Sequence, residues 1–310
     1  MQELKYFLNK LIIFSIILVF LLSCLDFVVT SGLKKSNYRD LPKLVEITNG
    51  GIDAQVIIVG SSRALVHFDC EKISKKTGLS CYNLGLDGSN FKLQKEILEL
   101  YLRKNKTPER LIWSLDINTL GEIDTFYGIE NLVPFMREPE IREIISIQNS
   151  NPEYLYYLPM IRYKFKSNFI PIGLLSYLNL IKYRRRVING YREMDLEWKP
   201  NDKIKGDFRF QFKIDSTYIY NFFEQIHVLQ SRSVKISFCI TPYFNKGFES
   251  DKFILDFENE FKSIASVIQV PVYSYLNSEI SMSKNYFYDY SHLNKRGVNK
   301  FMNEFLMDYK

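Results

Sequence analysis

The sequence is poor in the residues that build metal centres. Its 310 residues include four cysteines and three histidines. The cysteines are Cys24, Cys70, Cys81 and Cys239. Their positions lack the close pairing that is typical of zinc ligands. We therefore predict no metal site.

The sequence also lacks the usual signatures of a nucleic-acid-binding protein. It has no zinc finger and no aromatic-basic RNA motif, and it contains no repeat or low-complexity tract. The net charge of +6 is compatible with an anionic partner such as a membrane surface or an acidic glycan. Because this charge is spread over the chain, we predict no nucleic-acid partner. A hydrophobic content of 46% is sufficient for a folded core.

An apolar run near the N-terminus determines the predicted compartment. From Leu11 to Val29 the only charged residue is Asp26. In a helix these residues rise about 1.5 Å each and just cross a hydrocarbon core of roughly 30 Å. We predict an uncleaved membrane anchor over residues 1–30, a connector over residues 31–52, and a globular domain on the extracytoplasmic side of the cell membrane.

Two alternatives for this segment remain open. The apolar core Leu11–Leu22 also fits a cleaved signal peptide. The LLSC sequence at residues 21–24 resembles a bacterial lipoprotein processing box, in which Cys24 would be lipidated. The positive charges favour the opposite topology, because more lysines and arginines follow the apolar run than precede it.

Short apolar strands alternate with helical patterns over residues 53–310. The predicted strands are Gln55–Val59, Leu79–Asn83, Arg110–Leu115, Val234–Ile240 and Val270–Tyr273. The predicted helices are Asp69–Thr77, Phe91–Asn105, Tyr218–Gln230, Lys252–Ser266 and a final helix capped by Asn294. This alternation predicts an α/β fold of three layers, with helices on both faces of a parallel sheet of about five strands.

The alternation is interrupted by an insertion at residues 119–213. This stretch is rich in aromatic and basic residues, and its prolines interrupt helices repeatedly. One interpretation is a mainly helical lid beside the site, whose aromatic side chains bind sugar rings. The other is a satellite hydrophobic cluster that lies on the membrane surface.

Ser62 is the candidate nucleophile of the α/β domain. It follows the first strand and Gly60, at the edge where parallel strands end and where α/β proteins place their sites. A serine hydroxyl needs an adjacent base, and that base needs a group that orients it. His292 precedes the last helix, and Asp289 lies three residues before it. We therefore predict that His292 is the base and that Asp289 orients it.

Four blocks of sequence resemble the SGNH hydrolase superfamily, the GDSL-like lipases and esterases. They are GSSR with Ser62, LGLDGSN with Gly88, SLDIN with Asn118, and DYSH with Asp289 and His292. The resemblance covers Gln55 to Asn118 and about Lys213 to Lys310. It implies a flavodoxin-like fold and a serine esterase or acyltransferase that requires no cofactor. The resemblance also implies an oxyanion hole formed by the amides of Ser62 and Gly88 and by the Asn118 side chain.

Ser61 stands where many members of this superfamily have aspartate. This variant resembles membrane-anchored members that act on cell-envelope polymers. The resemblance thus implies an ester substrate, most simply an O-acetylated polysaccharide, with hydrolysis favoured over transfer. A non-catalytic envelope protein that binds glycans and retains the fold is the alternative. The sequence identifies no protein partner.

Several assignments remain open at this stage. Gly85 competes with Gly88 for the second block, and Asn118 can instead be a capping residue. Arg63 either holds an anionic group of the substrate or forms a salt bridge at the helix start, and Ser61 is the other candidate substrate-binding residue. We expect Cys70 and Cys81 to be free buried thiols, although they flank the first predicted helix and a disulfide would indicate export.

Overall fold

The computed structural model describes residues 1–117, 119–120, 128–147, 153–181, 187–198, 216–244 and 251–309. The chain divides into two compact units. The first, here called the helical unit, comprises residues 1–45 and 128–184, and the second, the α/β unit, comprises residues 46–127 and 185–310. The predicted insertion overlaps the second segment of the helical unit, and the predicted domain boundaries stay a prediction.

The described elements follow one another in the order expected of an α/β protein with an added helical part. The helices are α1 Gln2–Lys35, α2 Leu41–Asn49, α3 Ser62–His67, α4 Cys70–Thr77, α5 Phe91–Lys104, α6 Pro139–Ser146, α7 Glu153–Tyr157, α8 Phe169–Tyr177, α9 Ser216–Ser231, α10 Asp251–Val267 and α11 Lys295–Asp308. The strands are β1 Val56–Val59, β2 Cys81–Asn83, β3 Arg110–Leu115, β4 Val187–Ile188, β5 Tyr191–Arg192, β6 Lys235–Ile240 and β7 Val272–Ser274.

A five-stranded parallel sheet forms the centre of the α/β unit. Its strand order is β2-β1-β3-β6-β7, and every neighbouring pair is parallel. Each of the five predicted strands is present, with ends shifted by at most two residues. The predicted α/β class, with a sheet flanked by helices and an N-terminal apolar helix, is confirmed.

Helices cover both faces of this sheet because its strands are apolar on both sides. On one face, Ile58 and Ile112 share a core cluster with Phe301 of α11 and with residues of α3 and α4. On the other face, the Trp113 ring lies 5.1 Å from the ring of Phe222 in α9. A sheet buried on both faces has near-continuous hydrophobic strands, as β1 shows with the sequence VIIV.

A disulfide links Cys70, at the start of α4, to Cys81, at the start of β2. The expectation of two free thiols was therefore wrong. Gly78 ends α4 in the left-handed conformation and turns the chain back, so that the two Cα atoms lie 5.1 Å apart. This separation is within the range that a disulfide requires.

Loss of this disulfide should destabilise the α/β unit. The bond joins positions 11 residues apart. The loop-entropy relation gives about 3 kcal/mol for a loop of this length. We expect Cys70→Ala to lower the free energy of unfolding by about this amount in urea denaturation, because the unfolded chain gains freedom. Cys24→Ser is the control, since Cys24 is an exposed free cysteine. An unchanged wild-type urea midpoint in reducing agent would contradict the assignment.

The helical unit contains α1, which is long and apolar enough to cross a membrane. Large apolar side chains from Leu4 to Leu21 are exposed, whereas Val29 and Leu33 are buried. The C-terminal part of α1 packs against α8 through two glycines, Gly32 and Gly173. A Cβ atom on Gly173 would lie 2.4 Å from the Val29 carbonyl oxygen, so this close approach requires glycine. The N-terminal part of α1 thus exposes its apolar side chains.

Candidate active site

The turn after β1 places Ser62 at the carboxyl edge of the sheet. Gly60 has a φ of +152°, and a Cβ atom on it would lie 2.8 Å from the Ser114 carbonyl oxygen. Ser61 then caps α3, because its hydroxyl accepts from the Arg63 amide at 3.3 Å. Ser62 is the first residue of α3. Its amide therefore has no acceptor within the helix.

The structure brings together the three residues predicted to act as nucleophile, base and orienting group. Ser62 Oγ lies 2.7 Å from His292 Nε2. The other ring nitrogen, Nδ1, lies 2.9 Å from Asp289 Oδ2. Asp289 also accepts from the backbone amides of Ser291 and His292 at 2.9 Å. The Tyr288 ring is stacked parallel to the imidazole at 5.4 Å. These contacts leave Nε2 as the nitrogen that faces the serine.

The surroundings of Asp289 favour its ionised form. Burial of the carboxyl group opposes ionisation. The hydrogen bond and charge of His292, together with the backbone amides of Ser291 and His292, outweigh burial and lower the pKa of Asp289. The carboxylate therefore remains ionised at neutral pH and fixes the imidazole tautomer with the proton on Nδ1.

The lowered pKa of Asp289 makes a prediction about stability. A carboxyl group with a lowered folded-state pKa stabilises the fold above its ordinary pKa, and this stabilisation is lost as the pH falls through the folded-state pKa. We expect the wild type to be more stable than Asp289→Asn at pH 7, and this difference to shrink below about pH 4. Urea unfolding of both proteins from pH 7 to pH 3 measures it. A constant difference would contradict the lowered pKa.

Arg63 and His67 on α3 hold the loop that carries His292. The Arg63 guanidinium donates to the Ser291 carbonyl, and also to the carbonyls of Thr241 at 2.7 Å and Pro242 at 3.0 Å. His67 Nε2 accepts from the Leu293 amide at 2.9 Å. Helix α3, which begins with the candidate nucleophile, therefore forms hydrogen bonds to the main chain on both sides of His292.

These contacts give Arg63 a structural role that was not considered from the sequence, and its part in substrate binding stays a prediction. Its side chain is buried, and its guanidinium lies 3.3 Å from the centre of the Tyr243 ring. Within the described residues it donates to main-chain carbonyls and to the Thr241 hydroxyl. His67 is equally buried, and burial, followed by the charges of Arg63 and His292, lowers its pKa well below the usual value. A neutral His67 can accept from Leu293 while Nδ1 donates to Thr241.

Ser62 and His292 open into a cavity of about 190 Å³. Its lining is Ser61, Ser62, Arg63, Gly88, Ser89, Asp116, Ile117, Tyr243, Tyr290, Ser291 and His292. The Ser61 hydroxyl donates to the buried carboxylate of Asp116. Asp116 was not predicted as a site residue, although an acidic residue directly after a buried strand was a usable signal. Ser61 thus supports the turn and Asp116, besides lining the cavity.

The structure distinguishes between the two glycines of the second block. The Gly85 amide donates to Asn83 Oδ1 at 2.8 Å, and a Cβ atom on Gly85 would lie 2.4 Å from the Leu65 amide nitrogen. Gly85 is therefore required for close packing. Gly88 has a φ of +69° and lines the cavity with Ser62. Asn118 lies outside the described residues.

The arrangement contains no metal-binding cluster among the residues described. No group of three or more His, Cys, Asp or Glu side chains is placed there to hold a metal ion. The chemistry that these residues support is proton transfer between Ser62 and His292, in which the carboxylate of Asp289 orients the imidazole and stabilises its protonated form.

Comparison with known proteins gives distant structural similarities. No protein-family model matches the chain, and no curated protein matches its sequence. Several solved structures resemble it, among them the following three. A candidate acylhydrolase from Bacteroides fragilis is 10% identical over 88% of this chain and 97% of its own, with a TM-score of 0.41. An acetyl xylan esterase is 12% identical over 82% and 99%, with a TM-score of 0.41. A candidate platelet activating factor from Streptococcus pneumoniae is 12% identical over 82% and 85%, with a TM-score of 0.39.

Proposed function

We propose that the α/β unit is a serine esterase that hydrolyses an O-acyl group. The observation that supports this is the continuous line of hydrogen bonds from Ser62 Oγ through the imidazole of His292 to Asp289. A hydroxyl so placed loses its proton to Nε2 as it attacks, and the resulting imidazolium is stabilised by the carboxylate. The cavity beside Ser62 gives an ester access to that hydroxyl.

The proposed reaction has two steps, acylation of Ser62 and hydrolysis of the acyl-serine. In the first, the Ser62 oxygen bonds to the ester carbonyl carbon, and His292 passes the serine proton to the departing alcohol as the ester bond breaks. In the second, a water molecule attacks the acyl-serine, gives its proton to His292, and releases the carboxylic acid as the proton returns to Ser62. If a sugar hydroxyl replaces water, the same steps transfer the acyl group to a glycan.

Backbone amides provide the charge stabilisation that such a reaction needs. Ser62 and Gly88 line the cavity, and within the described residues the backbone amide of neither has a hydrogen-bond acceptor. Both are therefore available to an oxyanion, with the Asn118 side chain proposed as the third donor. Loss of one such donor typically raises the activation barrier by about 3 to 4 kcal/mol.

The size of the cavity supports a small acyl group. Its volume of about 190 Å³ is below the roughly 300 to 1,000 Å³ usual for sites that enclose a drug-sized ligand. An acetyl group fits such a space, while the alcohol part of the ester stays outside. The substrate that we propose is accordingly an O-acetylated polysaccharide of the cell envelope.

The anchor and the disulfide support a location on the extracytoplasmic side of the cell membrane. The exposed apolar part of α1 is long enough to cross the hydrocarbon core of a bilayer. The Cys70–Cys81 disulfide is typical of an oxidising compartment, which argues against the topology suggested by the positive charges. Cys24 is exposed and unpaired within α1, so lipidation there remains the alternative form of attachment.

A series of nitrophenyl esters tests the activity and the acyl preference. We expect the full-length protein in detergent to hydrolyse the acetyl ester with a kcat/KM at least about tenfold above that of the hexanoyl ester, because most residues that line the cavity are polar and offer a longer apolar chain little favourable contact. Release of acetate from an acetylated polysaccharide tests the substrate class. Equal rates for both esters would contradict the small acyl group. A folded protein that cleaves no ester and takes up no fluorophosphonate would contradict the esterase.

A further inference from the structure

We propose that an exposed apolar edge of the helical unit lies in the headgroup region of the same bilayer that α1 spans. This apolar edge consists of Tyr157, Leu158, Ile161 and Phe165. The inference rests on the membrane anchor of the proposed function and does not depend on the esterase activity. It gives this part of the predicted insertion a membrane partner.

The apolar edge is fixed at one level of α1. The Asp26 carboxylate accepts from the Met160 amide at 2.9 Å and forms a buried ion pair with Arg162. One helical turn further along α1, the Thr30 hydroxyl lies 2.5 Å from the Tyr163 hydroxyl. Residues 160–163, in the middle of the apolar edge, are therefore held against α1 between positions 26 and 30.

The proposed membrane span ends next to these positions of α1. The segment from Tyr6 to Leu25 rises about 30 Å as a helix, which matches the thickness of a hydrocarbon core. Lys10 does not shorten this span, because its Nζ lies 4.3 Å from the Tyr6 ring, one turn towards the N-terminus. Asp26, the next charged residue, is turned into the protein and paired. The hydrocarbon core therefore ends at about Leu25, next to the apolar edge.

The chemistry of the apolar edge suits a lipid interface. Its large apolar side chains are more than half exposed, with Tyr157 at 71%, Leu158 at 53% and Phe165 at 54%. Lys164 lies over the Phe165 ring at 5.1 Å, which places a positive charge beside the aromatic group. Tyrosines and other amphipathic side chains are enriched where a protein meets lipid headgroups, and lysine is attracted by anionic lipids. An aqueous surface offers these side chains no comparable stabilisation.

Spin labels in the full-length protein test this placement. One exposed cysteine at a time is introduced as Ile16→Cys, Leu158→Cys or Leu180→Cys in a Cys24→Ser background, in which the free thiol of Cys239 is buried. Each protein is labelled with a nitroxide and reconstituted in vesicles of phosphatidylethanolamine and phosphatidylglycerol. Leu180 is the matched control, since it is an equally apolar side chain with an exposure of 69%. It follows α8, where the Tyr177 ring lies 5.1 Å from the Lys35 Nζ, far from the end of the span.

We expect labels at positions 16 and 158 to collide with oxygen, and the label at position 180 to collide with a water-soluble nickel complex. The ratio of oxygen to nickel accessibility should be several-fold higher at position 158 than at position 180. A water-exposed label at position 158 with a lipid-exposed label at position 16 overturns the apolar edge and leaves the anchor intact. A water-exposed label at position 16 overturns both. Tyr157→Cys repeats the measurement at a second position of the edge.

Discussion

Ser62→Ala is expected to lower kcat for ester hydrolysis by about 10⁴-fold or more, because Ser62 is the described hydroxyl that contacts His292 Nε2. The Ser291 hydroxyl lies instead against Nδ1, the nitrogen that Asp289 contacts. His292→Ala should lose a similar factor, since the serine proton then has no acceptor. Because the two residues act as one unit, the double variant should be no slower than either single variant. Steady-state kinetics on the acetyl ester and labelling with a fluorophosphonate probe measure these effects.

Two matched controls separate this effect from general damage. Ser231 and His227 lie exposed on α9, and we expect Ser231→Ala and His227→Ala to retain wild-type kcat. If Ser62→Ala retains fluorophosphonate labelling, Ser62 is not the nucleophile. If the double variant is far slower than both single variants, the two residues do not act in one step.

Arg63→Met is expected to destabilise the α/β unit and to slow acylation. The substitution leaves the carbonyls of Ser291, Thr241 and Pro242 without their donor, and each unsatisfied buried group costs about 1 to 3 kcal/mol. We therefore expect the free energy of unfolding to fall by about 3 kcal/mol or more. Because the loop that carries His292 is then held less firmly, the rate of fluorophosphonate labelling should fall as well.

Arg63→Lys provides the discriminating comparison. A single ammonium group cannot reach carbonyls that a planar guanidinium contacts with two nitrogens. We expect Arg63→Lys to recover part of the stability and less of the labelling rate. Arg232→Met is the control, because Arg232 is exposed next to α9. Should Arg63→Met unfold at the wild-type urea midpoint, the anchoring role would be wrong.

The order and type of the elements in the α/β unit could be predicted because they follow from local patterns. Short apolar strands such as Val56–Val59 are buried on both faces, and Gly78 ends α4 in the left-handed conformation. The Asn294 cap was also visible, since its side chain accepts from the Gly297 amide. Chain order and hydrophobic pattern were sufficient for this part of the fold.

The candidate site could be predicted only in part. Ser62 follows a strand and His292 precedes a helix, and parallel strands bring their carboxyl ends to one edge, so the proximity of the two residues follows from the fold class. The contacts of Arg63 with carbonyls near positions 241 and 291 could not be predicted. They join residues separated by 178 and 228 positions, and no local pattern encodes such a pairing.

The sequence by itself determined the apolar helix, the parallel sheet and the residue types of the proposed nucleophile, base and orienting carboxylate. These features depend on composition and spacing along the chain, which sequence reports directly. Only the tertiary structure decided that Cys70 and Cys81 are bonded, that Gly85 packs while Gly88 lines the cavity, and that Asp26 is paired with Arg162. Each of these depends on a distance between segments, which is set by packing of the whole unit and by no single stretch of sequence.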